Sequence, residues 1–444
     1  MVKPIRMESR KIAEEIFIAG VESVVPSNLI PEVISLEGDI LHIQNLRFPL
    51  KNFKNIFVIG AGKASASMAF EIEKIIGPRI SDGHIVVKYG HSCRLKHVKV
   101  SEAGHPVPDS NGFKATDTIL KIAKKAEVND LVLCLLSGGG SALLADFPPG
   151  SSPAETTDFN NLLVNSGACI QEINAVRKHI SLIKGGQLSR SVYPATLVTL
   201  ILSDVAGDPL DVIASGPTTP DPTTFSQALE VVEKFNLMND VPAGILRYLR
   251  DGESGLKPET PKQSDTIFEK TSNLLIGTNR LALEAARQKT LEYNINALII
   301  DDQLQGDTSS VADYLVETAL KFKENVDEVK PVCLLFGGET TVKMTGKGKG
   351  GRNQHLALQI ALLLKDLPGI TVLSAGTDGN DGPTGAAGAV VDSDTFANAS
   401  SESIDPVKFL NDFDSYHFFK KVGGHIITGP TMTNVMDIIV VIVE

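Results

Sequence analysis

The chain has 444 residues, 42 Lys+Arg against 53 Asp+Glu for a net charge of −11, and 42% hydrophobic with 21% charged residues. That length and balance suit two globular domains able to bury sizeable cores, and the acidic excess excludes a broad nucleic-acid-binding face without excluding a compact cationic site. The 38 glycines are clustered, many of them in GAGKAS, SGGGSA, GKGKGGRN and GTDGNDGPTGAAGA.

From the N-terminus, MVKPIRMESRKIAEEIF lacks the apolar h-region of a signal peptide. Apolar runs such as Leu131–Leu136 and Leu356–Leu364 fall far short of the ~18–20 residues that cross a bilayer. Neither a membrane nor a nucleic acid is therefore an expected partner. Short β-branched and apolar runs then alternate with helical patterns. Strands are predicted at Asn55–Ile59, Gly83–Lys88, Leu131–Leu136, Thr196–Leu202, Leu274–Ile276, Ala297–Ile300, Pro331–Phe336, Thr371–Ser374 and Asp437–Val443. Helices are predicted at Ala64–Ile76, Phe113–Lys125, Gln227–Asn236, Arg280–Lys289, Ser309–Lys323 and Asn353–Lys365. Continuous apolar strands separated by helices point to an α/β fold with doubly wound parallel sheets. The polar stretch Asp251–Lys270 reads as an interdomain linker or a long surface loop, and the charged stretch Lys321–Lys330 as a solvated helix end. Cys93, Cys134, Cys169 and Cys333 form no C-x-x-C pair, and Cys134 and Cys333 sit in apolar runs that read as buried thiols. The expected compartment is the cytoplasm.

The glycine clusters fall where strands end. In NIFVIGAGKASASM, Gly60 and Gly62 allow a sharp strand-to-helix turn, and Lys63 adds a cation at the helix start. The arrangement fits an anion site; a purely structural turn and a nicotinamide site are the alternatives. Against the latter, Ser65 replaces the third glycine of G-x-G-x-x-G, and Lys88 stands where a ribose-binding acid is expected. In LCLLSGGGSALL, Ser137 and Ser141 flank Gly138, Gly139 and Gly140, which permit close approach of ligand oxygens or of a neighbouring backbone. No Walker A motif, nucleophile elbow or zinc-type histidine spacing occurs in the chain. Lys347, Lys349 and Arg352 precede a helix in GKGKGGRNQ, with Glu339 at the end of the strand upstream. Asp204, Asp208 and Asp211 follow one strand, and Asp378 and Asp381 another; such carboxylates hold Mg²⁺, accept a proton or cap turns. His105 in a Pro-rich turn can orient a substrate, and Arg177 and Lys178 on a helix can bind a carboxylate.

Taken together, VIGAGKASASMA, GHPVPDSNG, LLSGGGSALL, INAVRKHISLIKGGQLS, LSDVAGDPLDVIASGPTTPDPTTF, GTNRLALEAA, GGETTV with GKGKGGRNQ, and SAGTDGNDGPTGAAGA, spread from about residue 57 to about residue 390, resemble the class II glycerate kinases, whose C-terminal part is the MOFRL domain. The resemblance implies a larger, doubly wound Rossmann-like domain over residues 1–255 and a smaller α/β domain over 265–444, with a cleft between them and a final strand able to return to either. It implies ATP- and Mg²⁺-dependent phosphorylation of D-glycerate, usually on the 2-hydroxyl, to 2-phosphoglycerate and ADP. 3-Phosphoglycerate is the alternative product, and NAD(P)H-dependent hydroxypyruvate reduction the alternative activity. Lys63, Asp204 and Arg352 fall on the family's key positions. Gly60, Gly62, Ser137, Gly138, Gly139, Gly140, Ser141, Lys347 and Lys349 are the expected phosphate-binding set. His105, Arg177, Asn279 and Glu339 are expected to bind substrate, and Asp204, Asp208 and Asp378 to hold Mg²⁺. A monomer or homodimer is expected.

Overall fold

The structure is a computed structural model and describes residues 5–325, 331–343 and 345–444. The chain divides into two compact units. One comprises residues 29–203 and 208–276; the other combines the segment ending at Asn28 with residues 204–207 and 277–444.

The first unit opens with a small antiparallel meander of β1 (Ile34–Glu37), β2 (Ile40–Ile43) and β3 (Leu46–Pro49). Its main sheet contains β4 (Asn55–Ala61), β5 (Asp82–Lys88), β6 (Lys99–Ala103), β7 (Asp130–Leu136), β8 (Thr196–Leu202) and β9 (Thr271–Gly277). The spatial order is β6-β5-β4-β7-β8-β9, and every pair from β6 to β8 is parallel. This is the Rossmann order, in which the chain reverses direction of winding between β4 and β7, and ligands bind outside the strand ends there. Strand β7 is buried along its whole length, as expected of a strand covered by helices on both faces.

Local signals set the helices around it. Asp109 accepts hydrogen bonds from the Asn111 and Gly112 N–H groups to start helix Ser110–Lys125, and Thr224 with Gln227 forms a capping box for Phe225–Lys234. A satellite core of Phe159, Val176, Phe225 and Ile245 packs the helices that follow β7. The polar stretch 251–270 lies inside this unit: it ends helix Ala243–Glu253, passes through a loop in which Thr260 is buried, and closes in a 3-10 turn over Thr266–Lys270. Burial alone would raise the Glu259 carboxyl, but hydrogen bonds from the His179 ring and from the Phe225 and Thr260 N–H groups hold it down at about 2.

The second unit is built on β10 (Asn296–Asp307), β11 (Val332–Thr341), β12 (Ile370–Gly376), β13 (Gly388–Asp392), β14 (His425–Ile426) and β15 (Asp437–Val443). The order is β10-β11-β15-β12-β13-β14. Only β10 and β11 pair in parallel; β15 lies antiparallel between β11 and β12, and β13 and β14 continue antiparallel. The expectation of parallel sheets therefore holds for the first unit and is corrected to a mixed sheet here. Burial on both faces produces the same apolar run whichever way a strand points. The core beneath the sheet includes Phe336, Leu356, Ile360, Phe418 and Val441. Helix Ile5–Ser23 joins this unit, and the Arg10 guanidinium donates to both Asp392 oxygens and to Thr395. Of the charged stretch 321–330, residues 326–330 lie outside the described residues, and Lys321 and Lys323 close helix Thr308–Glu324. Among the described residues, no single helix is long and apolar enough to cross a membrane.

Candidate active site

At the winding reversal of the first unit, two glycine turns interlock. The Lys63 N–H donates to the Gly138 carbonyl at 2.9 Å, and the Ala64 N–H to Ser137 Oγ at 3.0 Å. Ser65 Oγ lies 3.2 Å from Ser137 Oγ. Gly62 has φ +137, and a Cβ there would stand 2.1 Å from Ser137 Oγ; one on Gly60 would stand 2.2 Å from the Leu135 carbonyl oxygen. The β7 backbone at Leu135 thus excludes a side chain at Gly60, and the hydroxyl and carbonyl of the buried Ser137 exclude one at Gly62. The Lys63 side chain is half-buried at the same turn.

Further along the loop, Gly139 has φ +83, and its missing Cβ makes room for the His105 ring, whose Cδ2 and Nε2 would lie 2.9 Å from that atom. Burial, reinforced by Lys63, Lys88 and His91, pushes the His105 imidazole down to about 4, so it is neutral at physiological pH. Ser141 Oγ is 2.7 Å from Ser215 Oγ, and a Cβ on Gly140 would lie 2.8 Å from that of Ala214. His105, Gly139, Ser141 and Arg177 all line one cavity of about 430 Å³. Asp146 and Lys184, two residues without a role in the sequence reading, line it too. The Lys184 ammonium donates to the Leu144 carbonyl and lies 3.7 Å from Asp146; burial lowers its pKa. Asp146 and Lys184 are 38 positions apart, and nothing in sequence spacing places them in one cavity lining. Lys178 instead turns into a buried ion cluster, 3.1 Å from Asp211 and 3.4 Å from Asp221.

In the second unit, Arg352 opens helix Arg352–Leu363. Its Nε and Nη2 donate to the two Asp437 oxygens at 2.6 and 2.9 Å, and Nη1 donates to Glu339. Burial alone would lower its pKa, but Asp437 and Glu339 outweigh that and raise it, so the guanidinium is permanently charged. Asp381 supplies the cap of this helix, accepting from the Asn353 N–H at 3.0 Å and the Gln354 N–H at 2.9 Å. Its carboxylate occupies the space a side chain on Gly351 would need. Burial raises Asp381 to about 6 despite those hydrogen bonds. Asn279 is buried and donates to the Val435 and Asp437 carbonyls at 2.8 and 2.9 Å, which fixes the entry to β15. Lys349 lies over the Tyr416 ring at 4.7 Å, and Lys347 is exposed. Asp378 accepts from the Asn380 N–H at 3.0 Å, and Asp204 is half-buried just past β8.

Mg²⁺ needs only one or two protein carboxylates when substrate phosphates complete its shell. Among the described residues, no group of three or more His, Cys, Asp or Glu could hold a metal alone. Asp208, at φ +53, buries an Oδ1 with no hydrogen-bond partner among the described residues, a carboxylate oxygen with capacity for such a cation.

The model of a domain of unknown function, DUF4147, matches residues 12–250, and that of the MOFRL family matches residues 332–437. A D-glycerate 2-kinase of Thermotoga maritima is 39% identical over 97% of this chain and 97% of its own length. A glycerate 2-kinase of Pyrococcus horikoshii is 38% identical over 99% of this chain and 98% of its own. The crystal structure of a Thermotoga maritima glycerate kinase superimposes with a TM-score of 0.87 at 38% identity, covering 99% of this chain and 100% of that one. Likeness along the whole length, with both units matched, makes the chain a member of the class II glycerate kinase family that carries the MOFRL domain.

Proposed function

We propose that the protein is an ATP-dependent glycerate 2-kinase, converting D-glycerate and ATP to 2-phosphoglycerate and ADP in the cytoplasm. The observation that carries this reading is the 39% identity to a D-glycerate 2-kinase over 97% of both chains.

Phosphoryl transfer asks the protein mainly for positioning and charge neutralisation. Lys63, at the glycine turn that ends β4, supplies positive charge where the Rossmann order gathers ligands. Arg352 supplies a fixed, planar guanidinium oriented by Asp437. Glu339, the more exposed of its two partners, is the one an incoming anion would displace. Asp204 has one of two roles: it accepts the proton of the attacking hydroxyl, or with Asp208 and Asp378 it would hold Mg²⁺, which when bound neutralises phosphate charge.

Phosphorus NMR of the product from D-glycerate and MgATP tests the reading. A 2-phosphoglycerate resonance is the expected result, and a 3-phosphoglycerate resonance would move the acceptor to the primary hydroxyl. Hydroxypyruvate-dependent NADH oxidation with no ATP consumption would replace the kinase by a reductase.

A further inference from the structure

The cavity of about 430 Å³ lies wholly within the Rossmann-like unit, and its charge is incomplete. Arg177 lines it and is largely withdrawn from water, which lowers its pKa. Its Nε donates to the Asn160 carboxamide at 3.0 Å, and no carboxylate pairs with it among the described residues. A partly buried guanidinium that faces a cavity without a carboxylate partner favours an anion entering that cavity. Lys184 does not share this need, because Asp146 and the Leu144 carbonyl already answer it.

Size and wall chemistry decide what carries the anion. A three-carbon acid fills a small part of a cavity this large, whereas pockets of ~300–1,000 Å³ suit ligands of nucleotide size. One wall contains Phe113, Val107 and Val164, and the last two are 58% and 54% exposed. Apolar side chains left open at a cavity rim suit the faces of a flat ring. Gly139 and Ser141 line the same cavity on the loop that follows β7.

We propose that this cavity seats the nucleoside part of ATP, with Arg177 pairing with a phosphate of the donor. This rests on the kinase reading above and assigns Arg177 to the donor instead of the acid.

Fluorescence titration with mant-ADP and steady-state kinetics on the full chain test it, using Arg177→Gln and Val164→Trp. The second variant fills the cavity mouth from an exposed helix position, so it reports on the cavity even if the first fails to fold by circular dichroism. The expected result is a tenfold or larger rise in the mant-ADP Kd and in KM for ATP for both folded variants, with KM for D-glycerate within twofold of wild type. An unchanged mant-ADP Kd in Val164→Trp, or an effect confined to KM for D-glycerate, would overturn the proposal. If the wild type binds mant-ADP but phosphorylates no D-glycerate, the kinase reading fails; variant-sensitive binding would still support the nucleotide seat.

Discussion

At the scale of single residues, Gly62 is constrained twice, by its φ of +137 and by Ser137 Oγ at 2.1 Å from any added Cβ. Gly62→Ala should therefore lose roughly 2–4 kcal/mol of stability, read as a shifted urea midpoint at an unchanged m-value. The two cations should behave differently from each other. Lys63→Ala is expected to cut kcat by at least ~100-fold, with the far-ultraviolet spectrum retained. Arg352→Ala should cut it as far and also unfold more easily, by roughly 2–4 kcal/mol, because the buried Asp437 loses the guanidinium that holds both its oxygens. Near wild-type turnover in both variants would remove them from the mechanism.

At the scale of elements, Glu259 is the pH-sensitive tie between the stretch 251–270 and its unit, beside the Lys262 bonds to the Asp221 and Thr223 carbonyls. Glu259 has its pKa lowered to about 2 from the ordinary 4.5. A carboxyl lower in the folded than in the unfolded chain adds stability above the unfolded value, and that stability is lost as pH falls through the folded one. Glu259 is only partly buried, so solvent screening leaves roughly 1–2 kcal/mol. Urea titrations of wild type and Glu259→Gln should differ by about that at pH 7 and converge as pH approaches 2. A constant gap at all pH values would mean that the loop is held by packing instead. The buried strands β4, β5, β7 and β8 were legible because a strand covered on both faces is a short apolar run between turn residues. The meander β1–β3, with four residues per strand, and the two-residue β14 carry too little pattern to read. Much of the candidate site was legible for a related reason, since glycines and cations at strand ends mark backbone turns near ligands. The partners of those residues were not. Asp437 lies 85 positions from Arg352, and the Asp381 cap 28 from Asn353, so neither relation has a local signature.

At the scale of the whole molecule, the decisive feature is β15, fully buried between β11 and β12. Val440 pairs with Leu335 on one side and Leu373 on the other. Val440→Asp would put an unpaired carboxylate at the centre of that sheet, at a cost of at least ~3 kcal/mol. Hydrogen exchange should then show β11 and β12 amides losing protection while β4 and β7 keep theirs. Equal loss in both sheets would mean that the two units unfold as one cooperative body.

The position of β15 also has a consequence for how the chain is made. Helix Ile5–Ser23 leaves the ribosome early, yet it belongs to the same compact unit as the strand starting at Asp437. At ~5–20 residues per second the helix waits on the order of 20–80 s for that strand. During that interval the Rossmann-like unit can close while the first helix waits; the gap between β11 and β12, made only once Gly376 is reached, stays open for the last ~3–12 s.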